Sequence, residues 1–129
     1  MAGAPPPLHI AATDKTPQVD LLPVQGRLSI RGSSIPENAD RFYLPLYARV
    51  RSYMGDASPR TTVQVHLEHF NSSTSKHLLD LFKMLEDLHA TGRSKVTLEW
   101  HHAEDDLDME EAGEDFKALL EFPVKVVAF

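Results

Sequence analysis

Four hydroxyl side chains follow one another at Ser72, Ser73, Thr74 and Ser75, within the stretch HFNSSTSKHLLDLFKMLEDL, between a strand-like run and a strongly helical one. A helix start needs one N-cap oxygen to accept from its free first-turn amides. The remaining hydroxyls are surplus to that need. Where a strand ends and a helix begins, unpaired amides point outward and the helix dipole favours negative charge, so a phosphoryl group on Ser72 or Ser73 would be held by groups already in place. Lys76, one turn further on, would add a charge-assisted contact. Ordinary capping explains the same residues, with Ser72 or Ser73 as the cap and the others facing solvent. The residues alone leave both readings open.

The other candidate chemistry is weaker. His101 and His102 precede Glu104, Asp105, Asp106 and Asp108. Adjacent strand residues point to opposite faces, however, so the two imidazoles cannot share one ion without distortion, and the acidic run lacks the central glycine and ligand spacing of a calcium loop. A solvated loop with acids at a helix start is the expectation, with no metal site and no cofactor. A hydrolase would need an activated nucleophile. There is no GxSxG elbow around any serine, and His66 and Glu68, which share a strand face near the hydroxyl run, fit an exposed polar face equally well. Phosphate loops of the GxxxxGK[ST] or GxGxxG type are absent from the sequence.

Composition narrows the class. The chain has 129 residues, 42% of them hydrophobic and 25% charged, enough for one core of its own and too few for two ordinary domains. The expected organisation is a flexible Pro-rich lead-in over residues 1–18 followed by one domain over 19–129. The start of the chain lacks a basic and then apolar leader, and no apolar run approaches ~20 residues, so no membrane partner is expected and the cytoplasm is the expected location. Zero cysteines exclude disulfides and thiolate chemistry. A net charge of −6 lacks the basic footprint of a nucleic-acid binder; Arg41, Arg49, Arg51 and Arg60 lie among apolar residues and suit a solvated helix face.

Periodicity places these residues on elements. GRLSIRG alternates Leu28 and Ile30 with polar neighbours and pairs as a hairpin with an extended segment at Val19 to Leu22. IPENADRFYLPLYARVRSYMG carries Phe42, Leu46, Val50 and Tyr53 at helical spacing and stops at Gly55, with Pro45 near enough to the start to be tolerated or to bend the helix. TTVQVHLEHF is a strand with Val63, Val65 and Leu67 on one side. A second helix from about Ser73 to Thr91 buries Leu78, Leu81, Phe82, Leu85 and Leu88 and ends at Gly92. SKVTLEWHH, DMEEAGEDFKALLEF and PVKVVAF give strand, helix and strand. Right-handed crossovers then make these strands parallel, with the hairpin antiparallel, and the alternation places about three helices on one face of a mixed sheet: a two-layer α/β sandwich.

The segments IPENADRFYLPLYARVRSY, HFNSSTSKHLLDLFKMLEDL and MEEAGEDF, in this order and spacing, resemble the SiaC-like family of bacterial biofilm and signalling regulators. The similarity runs from about Gln25 to the C-terminus. It implies an architecture like that of STAS-type anti-sigma-factor antagonists, and a switch rather than an enzyme. In that scheme a SiaB-like Ser/Thr kinase phosphorylates a hydroxyl at the helix start and a SiaA-like phosphatase of the PP2C type removes the phosphate. The unmodified form binds and regulates an effector, which in SiaC systems is a SiaD-like diguanylate cyclase that makes c-di-GMP. By motif position the acceptor is Ser72, directly after Asn71, with Ser73 as the alternative. Asn71, Ser73, Thr74 and Lys76 would surround the phosphate. Helical spacing extends a stripe from Lys76 to His77, Asp80 and Lys83 as the partner surface. An unmodified adaptor domain and a small serine hydrolase using Ser72 or Ser73 are the competing readings.

Because His101, His102 and the acids after them lack one-sided ligand geometry, chelation with EDTA should leave the thermal midpoint unchanged. A drop of several degrees in a thermal melt would show a structural metal after all.

Overall fold

Alternation decides the sheet. Val19, Leu21, Leu28, Ile30, Val63, Val65, Leu67, Val96, Leu98 and Trp100 are all at most 2% exposed, while the residues between them stay half-buried or exposed on the opposite face. In the computed structural model, which describes residues 5–129, the elements run β1 (Leu8–Ile10), β2 (Gln18–Leu22), β3 (Arg27–Ser34), α1 (Ala39–Met54), β4 (Arg60–Phe70), α2 (Ser72–Ala90), β5 (Lys95–His102), α3 (Leu107–Leu119) and β6 (Val124–Ala128). The six strands lie in chain order; β1, β2 and β3 are antiparallel, and β3 to β6 are parallel. Successive right-handed crossovers that always step in the same direction leave α1, α2 and α3 on one face. This is the expected two-layer α/β sandwich.

The lead-in is the exception. Residues 1–18 were expected to be loose, yet Leu8–Ile10 pairs with Val19–Leu21 as an edge strand, and Gln18 already belongs to β2. Three residues between two prolines and a polar loop carry too little periodicity to announce a strand; the exposed edge of β2 supplies the missing order. Residues 1–4 of the lead-in lie outside the described residues.

The helices form for the reasons their sequences suggest. Asn38 caps α1 by accepting from the Arg41 amide, and Pro45 is accommodated inside the helix. Tyr43, Leu46, Val50 and Tyr53 are at most 1% exposed, and Phe42 packs at the edge of the core. In α2, Leu78, Leu81, Phe82, Leu85 and Leu88 are likewise buried, each at most 1% exposed.

Two glycines are dictated by close approach. Gly26 closes the β2–β3 hairpin at φ +65°, where a Cβ would lie 2.1 Å from the Arg60 carbonyl oxygen. Gly113 is the glycine of the EAGEDF segment. It faces the Trp100 indole so closely that a Cβ would stand 2.5 Å from Cδ1 of the ring. Trp100 is fully buried, donates through Nε1 to the Met109 carbonyl at 2.9 Å, and packs against Phe116 and Phe70 at centroid distances of 5.1 and 5.9 Å. The motif glycine is therefore the slot through which α3 seats on the sheet.

Gly113→Ala should destabilise the fold by about 1–2 kcal/mol, because overlap with Trp100 outweighs the ~1 kcal/mol of helix propensity that alanine gains. Urea unfolding measures it, and a more stable variant would mean that the ring yields freely.

Candidate functional site

The four hydroxyls have four different environments. Asn71 is the N-cap of α2: its side-chain oxygen accepts from the Thr74 amide at 2.9 Å, and its own amide donates to the Ser34 carbonyl at 3.2 Å. The alternative reading, in which Ser72 or Ser73 caps the helix, does not hold, since the asparagine takes that role. Ser72 is the first residue of the helix and is exposed. Ser73 is also exposed, but its hydroxyl donates to Asn71 Oδ1 at 2.9 Å. Ser75 is half-buried.

Thr74 has turned inward. At 0% exposure, its Oγ1 lies 2.8 Å from both the Ser34 carbonyl oxygen and Ser34 Oγ, and Ser34 Oγ lies 2.7 Å from Tyr43 Oη. One assignment satisfies every group: Thr74 donates to the Ser34 carbonyl, Ser34 to Thr74 Oγ1, and Tyr43 to Ser34 Oγ. Burial raises the Tyr43 phenol above its ordinary range, against the opposing pull of the Ser34 and Thr74 hydroxyls. Thr74 was expected among the residues around a phosphate; its hydroxyl is instead committed to the core.

A backbone irregularity sets this up. The β3–β4 register slips between Gly32 and Ser33, leaving Glu68 as the extra residue of β4. After the bulge Phe70 turns toward Trp100, and the chain reaches Asn71 beside the end of β3.

His77 corrects a second expectation. It was placed on the outward stripe, but it is buried between α1 and α2. Its Nδ1 lies 2.7 Å from Tyr47 Oη, its Nε2 lies 2.8 Å from Asp40 Oδ1, and its ring stacks on Tyr43 at 5.2 Å. The Tyr47 phenol is pushed well up by burial first, and then by the negative charges of Asp80 and Asp40 and by Tyr43. Helical spacing puts residue 77 near the boundary of the apolar face, and the tyrosines of α1 draw it inside. Tyr43 and Tyr47 were missed in the sequence because the four-residue ladder through Phe42, Leu46 and Val50 accounted for the helix without them.

Both imidazole nitrogens of His77 are therefore engaged, and Ser73 bonds to Asn71. Among the described residues no imidazole is bonded to Ser72 or Ser73, so the nucleophile and base of a serine hydrolase are not assembled. Likewise, among the described residues no three or more His, Cys, Asp or Glu gather as a metal site. His101 lies on the open face bonded to Glu99, while His102 is buried on the helix side. No helix among the described residues is long and apolar enough to cross a membrane.

Beside the hydroxyl run lies an accessible strip of surface. Ser72, Ser75, Lys76 and Leu79 of α2 face Ala112, Asp115, Phe116 and Leu119 of α3 across a groove of about 390 Å³. Lys76 is exposed in its lining, Lys83 is exposed beyond it and donates to the Leu119 carbonyl at 3.1 Å, and Asp80 is exposed on the side of α2 nearer Tyr47 of α1. Ser72 and Lys76, one turn apart, sit at its mouth.

The fold and this junction define a small two-layer α/β domain with an accessible hydroxyl at the start of its central helix. Comparison with known proteins places it further. The model of the SiaC family regulatory phosphoproteins matches residues 10–129. An uncharacterised protein of Pseudomonas aeruginosa strain UCBPP-PA14 is 31% identical over 121 residues, which is 94% of this chain and 95% of that one. Among solved structures, SiaC of Pseudomonas aeruginosa superposes with a TM-score of 0.86 at 29% identity, covering 96% of this chain and 99% of the other. The crystal structure of the diguanylate cyclase SiaD in complex with its activator SiaC, from Pseudomonas aeruginosa, matches with a TM-score of 0.88 at 30% identity, over 95% and 99% of the two chains. The chain belongs to the SiaC family of regulatory phosphoproteins.

Thr74→Val keeps the shape of the side chain and removes its hydroxyl, leaving the Ser34 carbonyl and one buried hydroxyl short of a partner; a loss of about 1–3 kcal/mol is expected. Chemical denaturation checks it, and an unchanged midpoint would mean that water replaces the bond.

Proposed function

We propose that this chain is a phosphorylation-controlled protein–protein switch whose unphosphorylated form binds and activates a diguanylate cyclase in the cytoplasm, and so governs c-di-GMP synthesis. It has no catalytic role of its own. A SiaB-like Ser/Thr kinase adds the phosphate and a SiaA-like phosphatase of the PP2C type removes it. The carrying observation is that Ser72 is the exposed first residue of α2, directly after the Asn71 cap and at the mouth of the groove between α2 and α3. Ser73 is the alternative acceptor, but its hydroxyl would first have to leave Asn71. The likeness to the activator SiaC in its complex with SiaD supports the choice of effector.

The physical chemistry favours an off-switch. In the free protein a phosphoryl group on Ser72 meets the first-turn amides of Ser72 and Ser73, the positive end of the helix dipole and Lys76, so stability should change by no more than ~1 kcal/mol. An effector docked along Ser72, Lys76, Asp80 and Lys83 would instead have to desolvate a group bearing about −1.5 to −2 charges. Without an arginine cluster on the partner, that cost of several kcal/mol is enough to dissolve a micromolar complex.

Calorimetric titration of a diguanylate cyclase should give binding with unmodified protein and with Ser72→Ala, weak binding with Ser72→Asp and none with the phosphorylated form. Equal affinities, or tighter binding after phosphorylation, would reverse the sign of the switch. Phosphate that maps undiminished to another residue in Ser72→Ala would refute the acceptor.

A further inference from the structure

The sheet face away from the helices carries an ordered row of its own. Arg31, His66 and His101 are register partners on β3, β4 and β5, so their side chains stand abreast across three parallel strands. One row back stand Ser29, Gln64 and Glu99, also in register. Together Ser29, Arg31, Gln64, His66 and His101 line a hollow of about 160 Å³.

The partners within this face decide what the hollow would accept. Glu99 Oε1 accepts from Gln64 at 3.0 Å and lies 3.2 Å from His101 Nε2; the Gln64 bond and then His101 hold its carboxyl below the usual range. That carboxylate therefore stays anionic, but it is hydrogen-bonded within the row and does not line the hollow. Arg31 is exposed and within ion-pair distance of no carboxylate among the described residues; Asp20, abreast of Ser29 on β2, feels its charge but is bonded to His9 and Gln18. The His66 ring is fixed edge-on by Phe129 at 4.4 Å. Burial, then Arg31 and His101, depress its pKa against the opposing pull of Glu68. A guanidinium fork, an imidazole able to become a cation and a serine hydroxyl therefore converge on one concavity of an otherwise acidic protein. The donors suit tetrahedral oxygens. A metal ion is disfavoured, because Arg31 stands beside His66 in the row.

We propose that this hollow is a binding site for a small phosphoryl anion, either free phosphate or the terminal phosphate of a small metabolite, held by Arg31 and His66 with Ser29 in its lining. The volume lies below the roughly 300 Å³ at which sites for whole drug-sized ligands begin, so it suits one anionic group rather than an entire cofactor. Bound there, the anion would raise the His66 pKa against the burial, and then the Arg31 and His101 charges, that depress it. The site lies across the sheet from Ser72, and its occupancy does not depend on the phosphorylation reading.

The test is an NMR titration of the full chain that follows the His66 ring protons, with inorganic phosphate in one arm and a simple phosphomonoester in the other, at constant ionic strength. Saturable shifts at millimolar concentration are expected, with the His66 pKa rising on binding, and Arg31→Gln should weaken binding at least tenfold while leaving the thermal midpoint in place. Saturation by only one of the two arms would identify the source of the phosphoryl group. Chloride matching phosphate, no saturation in either arm, or undiminished binding by both Arg31→Gln and His66→Gln would overturn the proposal.

Discussion

The arrangement depends on the buried hydroxyl knot of Ser34, Tyr43 and Thr74. It ties the end of β3, the second turn of α1 and the first turn of α2 at a single point, and all three side chains are shut off from solvent. Polar groups so deep are tolerable only when every donor and acceptor is matched, and here each hydroxyl gives one bond while the Ser34 carbonyl takes one from the Asn71 amide and one from Thr74. Because such a knot tolerates little drift, it fixes the rotation of α2 about its axis. That rotation decides that Thr74 and His77 point in and that Ser72 and Lys76 point out.

The crowd of hydroxyls at the helix start is thereby explained as a division of labour. Capping falls to Asn71, whose amide-bearing side chain can accept from Thr74 and from Ser73 together. Thr74 anchors the core, Ser72 and Ser75 line the groove, and of these two Ser72 is the exposed one. Below the knot, the Asp40–His77–Tyr47 chain joins the exposed start of α1 to the buried face of α2, adding a second polar tie between the same two helices. An accessible hydroxyl on a rigidly held first turn is a favourable place for a charge-changing modification, because its addition alters the surface without reaching the packing.

The two faces of the sheet divide the remaining work. Toward the helices, Trp100 is flanked by Phe70 and Phe116 and receives Gly113, so α3 is seated by shape as much as by apolar area. Away from them, cross-strand register lines up Arg31, His66 and His101. Parallel strands are usually covered on both sides; this sheet keeps one side polar and reachable, which gives the molecule two chemically distinct surfaces separated by one layer of backbone.

The sequence by itself determined the elements and their layering, because period-two runs such as VQVHL and the 3.6-residue ladder from Leu78 to Leu88 are local properties that packing only had to accept. It also determined the family, since three segments in fixed order constrain far more than any one of them. Tertiary structure alone decided the rest. The strand Leu8–Ile10 exists only because β2 offers an edge, and the bulge at Glu68 arises only from pairing with β3. The fates of Thr74 and His77 rest on Ser34, Tyr43 and Tyr47, residues 30 to 40 positions earlier in the chain. Helical spacing gives the angle of a side chain around its own axis; whether that angle meets water or a tyrosine depends on which helix packs beside it, and that is a fact of contact rather than of local pattern.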